Sequence, residues 1–371
     1  MEQYRKKREL TQSKVKERYI IVGFISSGTY GRVYKACPRT GASVELAIKK
    51  FKPEKVGDVR SSNGISQSAC REIALCRELR HENIVDLYEV ILEDNAIHMI
   101  MDYAEYDLYS ITVHHARQLK KSIPEQVAKS MLWQLLNGVA YLHSNWVMHR
   151  DLKPANILIT STGVVKVGDL GLARIHRRPF QTLYASDKVV VTVWYRAPEL
   201  LLGAKHYTVA IEILRLQPIF KGEEVKSENP KVIPFQKHQM SRVCEVLGMP
   251  TRKYPNSHEY AKKPRPGKPN CHQTQPPLIS DRVFCGRIGD VWPTVESMPE
   301  YPQLKAIKRS PGAANGGGGG LKQWYSMANT KSERGYQLLA RMLDYNPETR
   351  ITAAEALDHP YFHEDPIPVL Q

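Results

Sequence analysis

No apolar run in the 371-residue sequence approaches the roughly 18–20 residues that a membrane-spanning helix needs, so no such helix is expected. The first ten residues, 1–10, carry charge without a following apolar segment, and a secretory signal is not expected either. The six cysteines (Cys37, Cys70, Cys76, Cys244, Cys271 and Cys285) form no CxxC pair. Several fall in apparent helices or strands, a pattern of reduced thiols rather than of a disulfide framework. Cys271-His272 with Cys285 reads as incidental to a polar segment, not as a zinc site. Acidic residues are in deficit, with 38 Asp and Glu against 53 Lys and Arg and a formal charge of +15. That balance suits acidic partners. The basic residues are nevertheless spread along the chain, so they read as solvated surface and direct nucleic-acid binding is not expected. A hydrophobic content of 42% with 25% charged residues is ordinary for a globular chain, and the length suffices for two lobes.

What the sequence does have is concentrated in residues 149–171: His149-Arg150-Asp151-Leu152-Lys153-Pro154-Ala155-Asn156, an apolar run, and Asp169-Leu170-Gly171. Phosphoryl transfer asks a protein mainly to aim a hydroxyl and to neutralise the charge on the phosphate oxygens. A carboxylate such as Asp151 can orient a hydroxyl and accept its proton, and Asn156 with Asp169 offers hard oxygen ligands for Mg²⁺. Ile157-Leu158-Ile159 and Val164-Val165-Lys166-Val167 around Ser161-Thr162-Gly163 predict a hairpin, which would bring Asn156 and Asp169 to one ion.

Upstream, residues 1–17 predict a basic arm or short helix, with Arg5, Lys6, Lys7, Arg8, Lys14 and Lys16 among good helix formers. A strand–turn–strand follows, Tyr19–Ile25 and then Val33–Ala36, around the small residues Ser26-Ser27-Gly28-Thr29-Tyr30-Gly31, where backbone can approach phosphates. Leu46–Lys49 predicts a third strand, and Ser66–Leu79 a helix with Ile73, Cys76 and Leu79 on one face. Ser122-Ile123-Pro124-Glu125 has capping-box spacing and predicts the start of a helix whose buried stripe is Val127, Met131, Leu132, Leu135, Leu136, Val139 and Leu142.

Together, the segment 149–156 and Asp169-Leu170-Gly171 resemble the catalytic loop and metal-binding segment of eukaryotic protein kinases. The resemblance implies an α+β fold of two lobes, a β-rich N-lobe (about 18–103) and a mainly helical C-lobe (about 104–362), with ATP and Mg²⁺ as cofactors. It makes Asp151 the catalytic base and Lys153 the γ-phosphate stabiliser, and gives Asn156 and Asp169 to the metal. ATP would be bound by the loop from Ile25 to Val33, in which Ser26 stands where the family has its first glycine and Arg32 precedes the valine. Ala47, the hinge residues Asp102 and Ala104, and Leu158 would also line the nucleotide site. Lys49 would meet the α- and β-phosphates, held by Glu72. Thr29 and Tyr30 match an inhibitory phosphorylation pair in some relatives.

Within that family the chain is similar to cyclin-dependent kinases, above all to the fungal-type, Mediator-associated, cyclin-C-dependent Ser/Thr kinase. The wording of Ser66–Glu72 and of the tail Glu364-Asp365-Pro366-Ile367-Pro368 carries that likeness. It implies nuclear transcription regulation, a cyclin C-like partner and other Mediator kinase-module subunits, with RNA polymerase II's C-terminal domain and transcription factors as substrates at Ser/Thr-Pro sites. Asp187 stands where many kinases place an activating phosphothreonine, and Arg71, Arg150 and Arg174 occupy the phosphate-receiving positions. A carboxylate there is a single-charge substitute for phosphate. Arg350 is the expected partner of Glu199.

Two departures lie in the C-lobe. Where the family runs through a helix of the form D-x-W-x-x-G-C, this chain reads Val209–Phe220 and lacks about ten residues, roughly 15 Å of helix. A truncated central helix is therefore expected, and a catalytically impaired, cyclin-binding scaffold is the alternative reading. A segment of about forty residues, 252–290, is inserted and predicts disorder, and a Gly-rich stretch at 310–321 predicts a flexible loop, before a tail at 363–371.

Overall fold

The computed structural model describes residues 14–28, 31–41, 44–51, 66–93, 96–175, 193–204, 220–225, 234–250, 292–307, 319–327 and 332–369. The basic arm before Lys14, Thr29, Tyr30, Asp187, the truncated-helix region, the insert 252–290 and most of the Gly-rich loop lie outside them. The chain divides into two compact units, 1–195 with 211–218 and 352–371, and 196–210 with 219–351.

The first unit opens with the short helix α1 (Val15–Arg18) and five strands: β1 (Tyr19–Ser27), β2 (Gly31–Pro38), β3 (Leu46–Phe51), then, after helix α2 (Gln67–Glu78), β4 (Leu87–Glu93) and β5 (Ala96–Asp102). They form one antiparallel sheet in the order β1-β2-β3-β5-β4. β3 is central, and its Leu46-Ala47-Ile48-Lys49 run is buried at every position, so Lys49 enters the interior on an otherwise apolar strand. Val15 of α1 joins Tyr19, Ala36, Leu46, Ile48, Ile91 and Ile100 in one apolar cluster, which makes the helix part of the sheet's core.

The same unit continues with β6 (Tyr106–Asp107), helix α3 (Leu108–His114), a π-helical turn (His115–Leu119), helix α4 (Glu125–Ser144), and the short strands β7 (Val147–Met148), β8 (Ile157–Ile159), β9 (Val165–Val167) and β10 (Arg174–Ile175). α4 starts after Pro124, whose side chain makes no cap; Ser122 lies outside the helix, so the capping box expected there does not form. Proline's fixed φ sets the entry geometry instead. Leu132, Leu135, Leu136, Val139 and Leu142 are buried as the helical period requires, but Val127 is 43% exposed, because the stripe begins one position later at Ala128. Lys129 is fully buried on this helix. Its ammonium donates to the Glu364 carbonyl at 3.0 Å and lies 4.2 Å from the centroid of the Tyr361 ring. The Val369 N–H donates to Ser130 Oγ at 2.8 Å, so the C-terminal residues lie along α4.

Gly138 of α4 is required by contact. A Cβ there would stand 2.7 Å from the Asn83 carbonyl oxygen and 3.3 Å from Val167 Cγ2. Alanine would gain about 1 kcal/mol in helix propensity. We expect Gly138→Ala nevertheless to destabilise by about 1–3 kcal/mol through overpacking. A urea midpoint at or above that of the wild type would contradict this.

The second unit contains α5 (Pro198–Leu201), α6 (Lys237–Leu247), α7 (Tyr301–Lys305), α8 (Gly319–Met327) and α9 (Glu333–Met342). Its interior is polar where the backbone needs it: Gln239, fully buried, accepts from Gly222 N at 2.9 Å and donates to the Phe220 carbonyl at 2.7 Å. Glu199 and Arg350 meet as expected, in a bidentate pair with both N···O distances 2.9 Å and side chains 3% and 4% exposed. The last helix, α10 (Ala353–Leu357), belongs to the first unit and opens with a Thr352–Glu355 capping box. A β-rich lobe followed by a mainly helical one is the bilobal architecture the sequence predicts.

Candidate active site

A cavity of about 490 Å³ in the first unit gathers most of the residues singled out in the sequence. Ile25, Ser26, Ser27, Gly28, Gly31 and Val33 line it from β1 and β2, Ala47 and Lys49 from β3, and Glu72 from α2. Asp102 and Ala104 contribute from the end of β5, and Asp151, Lys153, Asn156, Leu158 and Asp169 from the loops and hairpin beyond. Arg32 does not line it. Side chains alternate along a strand, so Gly31 and Val33 face inward while Arg32, paired with Lys50, is exposed on the other side. Thr29 and Tyr30 lie outside the described residues. Cys76, Val85, Met101 and Glu105 also line the cavity, and no local pattern marked them.

Lys49 is the electrostatic centre. Its ammonium donates to both Glu72 oxygens, at 2.7 and 2.8 Å, and to Asp169 Oδ1 at 3.1 Å. Burial by itself pulls the lysine down, but the two carboxylates outweigh it and hold Lys49 above its ordinary 10.5, so it stays charged. Burial likewise pushes Asp169 up, and Lys49 overrides it, leaving the carboxyl below its ordinary 3.8 and ionised.

Asp151 Oδ2 accepts from Lys153 Nζ at 2.7 Å and from Asn156 Nδ2 at 3.1 Å, and the same amide donates to the Asp151 backbone carbonyl at 2.8 Å. Asn156 therefore has its nitrogen committed to the loop and its carbonyl oxygen left for a ligand. The hairpin forms in the predicted register, Ile157 opposite Val167. Asp169 and Arg150 both adopt left-handed backbone (φ 62° and 68°), which costs non-glycine residues of order 1–3 kcal/mol and concentrates at functional sites.

The partners that hold these residues were not legible in the sequence. His149, 1% exposed, donates from Nε2 to the Gly168 carbonyl at 2.8 Å and accepts the Asp151 N–H on Nδ1 at 3.2 Å. This fixes one neutral tautomer that ties the Asp151 loop to the residue before Asp169. Gln134 of α4 accepts from Val165 N at 2.8 Å and donates to the Gly163 carbonyl at 3.1 Å, anchoring the hairpin from beneath. Asp102 takes three donors from three places: Asp86 N (3.0 Å), Tyr88 Oη (3.1 Å) and Lys166 Nζ (2.8 Å). Its carboxylate thus joins β5 to β4 and to β9, the strand that leads to Asp169.

Burial pulls the His149 imidazole below its ordinary 6.5. Below that pH the unfolded chain binds a proton that the folded protein refuses. The stabilisation is therefore complete above about pH 6.5 and is lost as pH falls toward the folded value, with a limiting slope of about 1.4 kcal/mol per pH unit. We expect His149→Gln to flatten the acid limb of stability against pH below about 6.5. An unchanged difference between variant and wild type across that window would exclude the effect.

Arg71 donates from Nη1 to the Gly171 carbonyl at 2.6 Å. Arg150 is buried beside Asp151, and Arg174 sits in β10 opposite Met148. Asp187, the ligand expected for these three arginines, lies outside the described residues.

The buried Lys49–Glu72 pair and the side chains of Asp151, Asn156 and Asp169, gathered around one cavity, are the set that the sequence's resemblance to protein kinases implies. The protein kinase domain family matches residues 19–362, and the chain belongs to it. More narrowly, it is 47% identical to serine/threonine-protein kinase SSN3 of Coccidioides immitis over 94% of this chain and 72% of that one. The corresponding kinase of Aspergillus niger is 47% identical over 94% and 78%, and that of Yarrowia lipolytica 46% over 98% and 82%. The chain is a serine/threonine protein kinase.

Proposed function

We propose that this chain is the cyclin-dependent kinase of a nuclear Mediator kinase module, transferring the γ-phosphate of ATP to Ser/Thr-Pro sites in the C-terminal domain of RNA polymerase II and in transcription factors. The observation that carries the catalytic part is the meeting of Lys49, Glu72, Asp151, Asn156 and Asp169 around one cavity. The cyclin C-like partner and the module's other subunits rest on the wording of Ser66–Glu72 and of the tail 364–368, while similarity to the SSN3 kinases supports the serine/threonine kinase reading.

The residues present fit MgATP. The donor set, the Asp169 carboxylate and the Asn156 amide oxygen, suits Mg²⁺, which takes one or two protein oxygens and completes its shell with phosphates and water. Asp169 and the Asn156 carbonyl oxygen would hold it. When bound, ATP supplies the phosphoryl group and Mg²⁺ offsets the charge on its oxygens. Lys49 holds the α- and β-phosphates, and Glu72 keeps its ammonium aimed. Asp151 accepts the substrate hydroxyl's proton on a carboxylate that Asn156 orients, while Lys153 places a cation beside the transferring group. Proline after the target residue lacks an N–H, so a site offering no acceptor there selects it.

The test is phosphate transfer to a Ser-Pro repeat peptide by the full chain with and without a cyclin C-like cyclin. Transfer that rises with cyclin, and falls when the proline is replaced by alanine, supports the reading. Transfer indifferent to both removes the cyclin-dependent, proline-directed part.

A further inference from the structure

We propose that the turn following α3 docks an already phosphorylated segment of the protein's own peptide substrate; the inference rests on the kinase reading above. His114-His115-Ala116-Arg117-Gln118-Leu119-Lys120-Lys121 carries three permanent cations and two imidazoles without one acid. Arg117, Lys120 and Lys121 are exposed, and none forms an ion pair with another described residue. The acids on either side in sequence belong to the helices that flank the turn. Asp107 caps α3, accepting from Ser110 N at 2.8 Å and Ser110 Oγ at 2.6 Å. Glu125 lies in the first turn of α4, where a carboxylate is favoured by the positive end of the helix.

The turn is closed by its own bonds. The N–H groups of Lys120 and Lys121 both donate to the His115 carbonyl, and His115 Nδ1 donates to the Lys121 carbonyl at 3.3 Å. Less of the backbone entropy of docking then remains to be lost on binding.

The ligand follows from the reaction. A serine/threonine kinase turns a neutral hydroxyl into a phosphate monoester of about −1.5 to −2 charge. A substrate with several target hydroxyls therefore acquires, after one turnover, the group this turn attracts, and arginine's fork suits phosphate in particular. The position is favourable as well. α3 begins at Leu108, next to the cavity-lining Asp107. From Leu108 to Leu119 the helical chain covers at most about 18 Å at 1.5 Å per residue. An extended peptide crosses that distance in about five or six residues at roughly 3.3 Å each. A peptide is favoured over duplex nucleic acid because a single turn with three cations falls short of the roughly six to ten phosphate contacts of a typical duplex-binding face.

The test compares two Ser-Pro peptides, one unmodified and one bearing phosphoserine six residues from the target, with the full chain and its cyclin. The wild type should show about tenfold higher kcat/KM for the primed peptide at low salt, as three exposed charge contacts allow. Arg117→Ala/Lys120→Ala/Lys121→Ala should bring the ratio to about one and leave the unmodified peptide's kcat/KM within about twofold. A ratio of one in the wild type, or a ratio that survives in the variant, overturns the proposal. So does a variant that loses duplex DNA binding while keeping its preference for the primed peptide. If the wild type phosphorylates neither peptide, the kinase reading has failed independently. Fluorescence anisotropy of both labelled peptides on wild type and variant still decides the docking site: phosphate-dependent binding lost in the variant supports it, equal binding overturns it.

Discussion

Asp151→Asn is expected to lower phosphoryl transfer by about 10²–10⁴-fold, the range that a positioned general base contributes, with KM for ATP little changed. The substitution keeps the shape and the acceptor oxygen that Lys153 and Asn156 contact, at 2.7 and 3.1 Å in the wild type, so the loop has no reason to move. What it removes is the ability to take a proton. His149 would still accept the residue-151 N–H and still bind Gly168, which makes an intact fold the companion expectation. Measuring kcat and the urea midpoint on one preparation separates the two. Activity within tenfold of wild type would show that Asp151 is not the base.

Glu199→Gln should destabilise the protein by about 3–5 kcal/mol, and Arg350→Met by a similar amount, because each leaves a buried charge without its counter-ion. Both nitrogens of the guanidinium fork are engaged by the carboxylate at 2.9 Å, and Arg350 Nε also donates to the Asp344 carbonyl at 2.8 Å. The double variant should cost clearly less than the sum of the two, since removing both charges removes the penalty of leaving either alone. Denaturant titration of the four proteins closes the cycle. Additive losses would mean that the pair contributes no more than its separate packing.

The legibility of the site differed with the range of the interaction. Asn156 and Asp169 could be read as neighbours because a hairpin closes their thirteen-residue separation into one place, whereas the pairing of Lys49 with Glu72 was legible only through the resemblance to protein kinases. Arg32 departs from the expectation because a loop motif names consecutive residues, whereas the strand formed here sends alternate side chains to opposite faces. The Ser122 capping box failed because Pro124 enters the helix without it. Val127 is exposed although the helical period places it on the apolar stripe, because the period does not say where the neighbour that would cover it ends.

The sequence by itself determined the kinase resemblance of this protein, carried by short stretches around Lys49, Glu72, Asp151, Asn156 and Asp169, and that a sheet-rich segment precedes a helical one. These follow from local period and residue type, both of which are properties of short stretches. Only the tertiary structure decided what holds that chemistry still. Asp102 gathers Asp86, Tyr88 and Lys166, Gln134 pins the hairpin, and Gly138 yields to the Asn83 carbonyl. Each of these depends on chain segments brought together from far apart, and the direction in which a buried polar group finds its partner is fixed by packing rather than by its neighbours in sequence.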